Sequence, residues 1–384
     1  MSFLTAVRFS PRLWLPGMAV ALAGSVASYA LWQQQQASMD AIAQLRFEQE
    51  THLFADALQR HLESHTDLLQ GMRGLLIVDP QLRRAEFERV ASKLSLARSH
   101  PGVKNINFTR YVPGAQRAAF EAQARGDAHM DGSLPVDFAI HPGQVRSEYF
   151  VVDFLWPREG NADVQGLEIH SQPDNLESML RARTSGELAA SAPFDLVQET
   201  ERRTGIMIRL PVFADGVPPG QREAVRFLGT VGVSVRIDDV VQALRGEGHL
   251  KRLTLAMSDI GPSGAQAGSA ALLFDSTPKP AQAADMERVQ EVQVGGRRWR
   301  LQFQSAGSFL SAQEARLPWL LGLGGMLITA LLTAVVSMLV LRRVRALGDV
   351  QQAGVALRES EERFRAVFSQ AAVGMAQVDL HSDR

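Results

Sequence analysis

The chain has 384 residues, enough for two or three domains of roughly 100–200 residues each. Lys and Arg number 40 against 41 Asp and Glu, so bulk charge draws in neither nucleic acid nor anionic surfaces. There is no cysteine, which excludes disulfides, thiolate catalysis and cysteine-held zinc.

Residues 13–32 and 317–341 are free of charge, runs of 20 and 25 residues. At about 1.5 Å per residue each is long enough to span a hydrocarbon core about 30 Å thick. Arg8 and Arg12 precede the first run; Arg342, Arg343 and Arg345 follow the second. Short arginine-rich flanks stay cytoplasmic, so both ends point inward and residues 33–316 lie outside, periplasmic or extracellular, on an inner (cytoplasmic) membrane. Trp14, Trp32 and Trp319 stand near the segment ends, where amphipathic rings favour the lipid interface. The competing reading of the first run is a cleaved signal peptide, with Ser28-Tyr29-Ala30 as a small-x-small site. The run exceeds a usual signal core, and a polar helix continues from it.

Residues 37–78 are helical by period: Ile42, Leu45, Gln49, Leu58, Leu62, His65, Leu69, Met72 and Leu76 step by threes and fours. This is a stalk helix packing on a neighbour, the same helix of a second copy being one candidate. Asp79-Pro80 ends it. A second helix is expected over 84–98. Beyond Gly102 strands are expected at 103–108, 149–155, 165–169, 206–213, 225–235, 252–257, 271–274, 291–294 and 297–303. Helices are expected at 116–125, at 176–183, and after Asp238 or Asp239 as a cap. Val217-Pro218-Pro219-Gly220 reads as a turn and Gly295-Gly296 as a hairpin tip. The sum is an α+β chain with antiparallel strands.

Several segments stand in the order of one family: "AEFERVASKL" from Ala85, "NINFTRYVPGAQRAAFE" from Asn105, "EYFVVDFLWPREGNADVQGLEIHSQP" from Glu148, "MLRARTSGELAASAPFDLVQE" from Met179, "GIMIRLPVF" from Gly205 and "RFLGTVGVSVRIDDVV" from Arg226. The run from about Leu75 to Leu244 resembles the CHASE family, extracellular sensor domains of histidine kinases and nucleotide cyclases. "SEERFRAVFSQAAVGMAQVDL" from Ser360 resembles the opening of a PAS domain. The resemblance implies a long stalk helix and two PAS-like lobes, with the ligand in the membrane-distal lobe. The chain then divides into a cytoplasmic N-terminus (1–12), a first transmembrane helix (13–32), a stalk (33–78), a distal sensor lobe (79–250), a membrane-proximal lobe (251–312), a second transmembrane helix (317–341), a signalling helix (342–359) and the start of a truncated PAS domain (360–384).

In the plant cytokinin receptors of this family an aspartate binds the ligand's polar edge; the resemblance places Glu168 there, one methylene longer. It also implies ligand contacts at Ala190, Ser191 and Thr200. Val151 departs from a proline common in the family, and cytokinin itself is not carried over. From the residues, Glu168 interrupts an apolar strand and takes the face opposite Leu167 and Ile169. It either accepts N–H donors from a ligand, at roughly 1.5–3 kcal/mol, or stands on a solvated outer strand face or in a structural salt bridge. Tyr149 opens a strand and either stacks on a flat ligand or packs in the core. Ser191 and Thr200 orient a ligand or close turns.

No cofactor is implied and no metal: His61 and His65 share a helix face but lack a third ligand. Phosphate loops, nucleophile elbows, a kinase acceptor-histidine segment and a cyclase signature are all missing, so no catalytic residue is assigned. Full-length relatives would be histidine kinases or diguanylate cyclases. Leu347, Val350, Gly354, Leu357, Glu361, Phe364 and Phe368 alternate threes and fours, a weak coiled-coil seam for a homodimer. The expected partners are a small-molecule ligand, membrane lipid and a second copy. The expected function is a membrane receptor that reports an outside ligand to an output module beyond this chain. The alternative is a protein-interaction module without a pocket.

Overall fold

The computed structural model describes residues 14–79, 81–131, 134–135, 137–195, 204–214, 226–264, 270–278 and 285–378, with side chains to 369. The chain falls into two units, residues 43–309 and residues 1–42 together with 310–384.

In the larger unit, one six-stranded sheet is built from β1 (Val103–Pro113), β2 (Glu148–Trp156), β3 (Ala189–Ala190), β4 (Phe194–Asp195), β5 (Thr204–Phe213) and β6 (Phe227–Arg236). Its order is β2-β1-β6-β5-β3, with β4 also on β5, and every pairing is antiparallel. Strand side chains alternate faces, and here both faces are buried. Ile106 and Phe108, Ile206 and Ile208, Val231 and Val233 fill one face. That face packs with α1 (Leu15–Val78), α2 (Arg84–Ser92) and α6 (Ile237–Gly246).

The second sheet has the order β8-β7-β10-β9, from β7 (Leu253–Pro262), β8 (Ala271–Asp275), β9 (Glu287–Val294) and β10 (Arg297–Ser305). Gly295 and Gly296 join β9 to β10 with φ of 51° and 75°, the left-handed pair a two-residue hairpin needs. Leu255, Met257, Trp299, Leu301 and Phe303 are among its buried side chains, and Phe303 meets Phe54 of α1 edge-on at 5.7 Å between ring centres. The mixed helical and antiparallel architecture, with a long first helix and two sheets, is the one expected.

Details differ from the sequence reading. The stalk's buried stripe is Phe47, Thr51, Phe54, Leu58, Leu62, His65, Leu69, Met72 and Leu76, while Leu45 and Gln49 face outward. The helix expected over 84–98 breaks into α2 and a short α3 (Leu96–Ser99), because Ser95 turns left-handed at φ 48°. The expected strand at 165–169 is a loop carrying isolated bridges at Leu167 and Glu168, followed by a 3-10 turn, Ile169–Ser171. The N-cap of α6 is Arg236, and Asp238 and Asp239 lie in the first turn, where their charge complements the helix dipole. Helices α4 (Arg117–Asp131) and α5 (Pro173–Ser185) run longer than expected. The turn at Val217–Gly220 falls outside the described residues.

In the smaller unit, α1 and α7 (Ala312–Val378) are both long and apolar enough to cross a membrane. Small residues let them meet: a Cβ on Gly24 would fall 2.5 Å from the Thr329 side chain, and one on Gly325 2.6 Å from Ser28 Oγ. Trp32 and Trp319 lie 5.5 Å apart between ring centres. Residues 360–378 continue α7 as helix.

Candidate functional site

The second face of the six-stranded sheet is polar yet buried. Asn105, Asn107 and Thr109 alternate with apolar residues along β1, and Thr230 and Ser234 do so along β6. Arg209 takes the same face of β5, and all six side chains are buried. Register aligns them: Asn107 pairs Gly232, which pairs Arg209. A cover of residues 157–185 lies over this face, with Val164, Leu167, Ile169 and Met179 in its apolar cluster.

Buried polar groups cost free energy unless hydrogen-bonded, and most of these form one chain. Asn105 Nδ2 donates to Asn161 Oδ1 at 2.9 Å, Asn107 Nδ2 to Asn105 Oδ1 at 2.9 Å, and Thr109 Oγ1 to Asn107 Oδ1 at 3.2 Å. Arg209 Nη1 donates to Thr109 Oγ1 at 3.2 Å and Thr230 Oγ1 at 3.1 Å. Arg209 Nε and Nη2 both donate to Asn175 Oδ1 of α5, the Nε bond at 3.2 Å. Among the described residues no carboxylate reaches Arg209. Burial pushes its guanidinium down to about 9, so it remains charged at neutral pH.

Between sheet and cover lies a cavity of about 20 Å³, bordered by Asn105, Met207 and Ser234 below and by Leu167, Ile169 and Asn175 above. That volume holds about one water molecule. Ser234 Oγ is buried there and has no hydrogen-bond partner among the described residues.

The residues expected from sequence separate into two places. Glu168 and Tyr149 are both buried, on the β2 side. Glu168 Oε1 accepts from Phe150 N at 3.3 Å, His170 N at 3.2 Å and His170 Nδ1 at 2.5 Å; Oε2 lies 3.4 Å from Arg146 Nε. The carboxylate thus ends the loop and starts the 3-10 turn. Tyr149 Oη accepts from Arg146 N at 2.9 Å and Arg117 Nη1 at 3.3 Å, and the Arg117 bond holds the phenol below its ordinary pKa. Ala190 and Ser191 sit at the opposite edge, beside β5. Ser191 Oγ accepts from Met207 N at 2.9 Å and donates to Ala192 O at 2.7 Å. Ala190 N donates to Gly295 O at 2.9 Å. Thr200 lies outside the described residues. None of the four described residues borders the cavity.

The sequence reading missed Arg209 and Asn175. A signal for Arg209 was present: a lone cation inside Ile206-Met207-Ile208-Arg209-Leu210. It also missed the third histidine near the stalk pair. His65 is buried between His61 and His100, with ring centres 5.0 and 5.8 Å away. Among the described residues neither His65 ring nitrogen has a hydrogen-bond partner, and desolvation pushes its pKa down to about 3. Among the described residues no group of three or more His, Cys, Asp or Glu is placed to hold a metal.

The chain is similar to two plant histidine kinases over its outer region. It is 24% identical to the Oryza sativa subsp. japonica protein named "Probable histidine kinase 4" over 178 residues, 44% of this chain and 16% of that protein. It is 23% identical to Histidine kinase 2 of Arabidopsis thaliana over 155 residues, 38% of this chain and 12% of that protein. The chain therefore spans less than a fifth of the length of either relative. Among solved structures, an extracellular ligand binding receptor from Desulfohalobium retbaense DSM5692 aligns at TM-score 0.43 and 13% identity, over 68% of this chain and 40% of that one. The ligand-binding domain of the Pseudomonas aeruginosa PAO1 amino acid chemoreceptor PctC, in complex with GABA, aligns at TM-score 0.38 and 14% identity, over 66% and 96%. Those scores are too low to carry a ligand across. The CHASE domain family matches residues 80–274, just over half of the 384 residues, and the chain belongs to that family of sensor domains.

Proposed function

We propose that this chain is the receptor part of an inner-membrane signalling protein. Residues 33–316 lie outside, and the distal lobe, 79–250, binds a small ligand between the polar sheet face and its cover. The observation that carries this reading is the buried hydrogen-bonded row from Asn105 to Arg209, whose Asn105 end and Asn175 partner border the cavity under the cover. A core built only for stability has little use for a cation and five other polar side chains on one face, since apolar replacements of such groups are often neutral or stabilising. Glu168 and Tyr149 in this reading hold the cover's outer edge, and Ala190 and Ser191 its inner edge.

The signal leaves through α1 and α7. After the second apolar span α7 exposes Leu347, Val350, Leu357, Phe364 and Phe368, a stripe suited to a second copy. Two packings of such a weak seam within a few kcal/mol of each other suit a switch. The output is a PAS-linked kinase or cyclase module.

The test is a thermal-shift screen of the full chain in lipid nanodiscs against amino acids, organic acids, amines, nucleobases and short peptides. A ligand that binds only the folded state raises the melting temperature by mass action. No shift from any class would sink the small-ligand reading and leave a protein-docking module in its place. A reporter fused at Gly246 and active in the cytosol would overturn the topology.

A further inference from the structure

We propose that the ligand of the distal lobe is a small carboxylic acid, whose carboxylate takes the place of Asn175 Oδ1 on the guanidinium of Arg209. This rests on the receptor reading above. Arg209 is fully buried and charged, and among the described residues its hydrogen-bond partners are neutral oxygens alone. A buried charge without an opposite charge is costly, and removing its partner is among the most damaging changes a core can suffer. The fold keeps Arg209 in this state directly behind Asn175, which borders the cavity.

The arrangement of donors selects the anion. Nε and Nη2 form the side of the guanidinium that grips a carboxylate with two parallel bonds. Here both converge on the single oxygen Oδ1 of Asn175. A carboxylate would give each N–H its own oxygen and add the missing negative charge. Asn175 also borders the cavity, so the ligand's approach and the asparagine's displacement happen at one point. Asn175 has somewhere to go: its Nδ2 already donates to Gln172 Oε1 at 2.7 Å, on the cover. The cavity's other walls mix apolar Val152, Leu167 and Ile169 with the polar side chains of Asn105, Gln172 and Ser234, so the rest of the ligand is a small body with both apolar and polar contacts. The cavity has room for about one water, so the cover must lift for the acid to enter, which ties occupancy to the position of α5.

The experiment uses the full chain in nanodiscs with propionate, succinate, benzoate and phenylacetate, each against its primary amide, and with inorganic phosphate. At least one acid is expected to raise the melting temperature while its amide does nothing. Arg209→Lys, which keeps the charge but loses the fork, is expected to weaken that acid at least tenfold. Arg209→Met is expected to melt at or above the wild-type temperature without ligand and to show no acid shift. Asn175→Asp places a carboxylate on the guanidinium from within; it is expected to raise the unliganded melting temperature and also abolish the acid shift. The Asn175→Asp variant keeps the test decisive where Arg209→Met fails to fold. The inference falls if an amide binds as well as its acid, if the acid shift survives in Asn175→Asp, or if phosphate alone binds. Shifts from only amines, nucleobases or other neutral compounds overturn the carboxylate and leave the receptor reading standing. Silence from every class removes both.

Discussion

Arg181 of α5 donates from Nη1 to the carbonyl oxygen of Gly295, at the tip of the β9–β10 hairpin, at 2.9 Å. Its Nη2 donates to Ala190 O, so one guanidinium ties the pocket's covering helix to both sheets. Two turns earlier the same helix carries Asn175, the contact of Arg209. Glu177, between them, lies 3.5 Å from Arg297 on the hairpin's second strand, and Arg297 pairs in turn with buried Asp259 at 2.6 Å. Helix α5 thus contacts both the buried cation under the cover and the tip of the β9–β10 hairpin.

Arg181→Met should therefore separate binding from transmission. Losing two hydrogen bonds from a charged donor costs roughly 1–3 kcal/mol, a fall of several degrees in melting temperature. Ligand affinity should change less than threefold, because Arg181 does not touch the cavity. Ligand-dependent protection of β9 and β10 against hydrogen exchange should disappear. Protection that persists would show another route between the sheets.

Gly295→Ala tests the same junction from the other side. A Cβ at Gly295 would fall 2.5 Å from Ala190 N, and the residue holds φ at 51°. Both the clash and the left-handed backbone oppose a side chain, at a combined cost of about 2 kcal/mol or more. Gly246→Ala, where added atoms meet nothing, is the control and should leave the melting temperature within about a degree. Equal melting of the two variants would mean that the hairpin tip is not held against β3.

His65 makes stability depend on pH. Its folded pKa, about 3, lies below the ordinary 6.5, with desolvation as the main cause and His61 and His100 as charged neighbours. The unfolded chain takes up a proton between these values and the folded chain does not. This contribution is complete above about pH 6.5 and is lost as pH falls, at up to about 1.4 kcal/mol per pH unit. His100, also lowered by burial, acts in the same direction. His65→Leu removes two unpartnered ring nitrogens and should raise the melting temperature at pH 7.5 and flatten its fall between pH 6.5 and 5. A fall as steep as wild type would assign the acid sensitivity to other groups.

Glu168 distinguishes a ligand contact from a cover support. Glu168→Gln can still accept from Phe150 N and His170 N while losing the charge opposite Arg146 and His170. A support role predicts a loss of about 1–2 kcal/mol in stability with the ligand's affinity changed only a few-fold. If ligand-induced stabilisation vanishes in a variant that melts near wild type, Glu168 belongs to the binding surface.

The stalk shows how far periodicity reaches. Steps of three and four identified α1 and placed Leu58, Leu62, His65, Leu69, Met72 and Leu76 on its buried side, because the helix repeat is local. Lower down, the choice between Leu45 and Phe47 depended on which side the β9–β10 sheet occupies, and Phe47 won by packing on Phe309 at 5.5 Å. Strand positions were legible for the same local reason. The segment at 165–169 was not, since its alternation fits a strand but its backbone bonds go to β2 and to His141 as isolated bridges.

By itself the sequence determined the two apolar spans, the α+β order of elements, the hairpin at Gly295-Gly296 and the family resemblance, all of which depend on neighbours along the chain. Only the tertiary structure decided that Arg209 and Asn175 meet, that His100 joins His61 and His65, and that Glu168 is already satisfied by Arg146 and His170. Those relations join residues from separate elements, and a pattern read along one strand or helix carries no information about which element is laid against it. The chemistry of this chain lives in such meetings, where burial removes water and leaves a charge dependent on whatever the fold sets beside it.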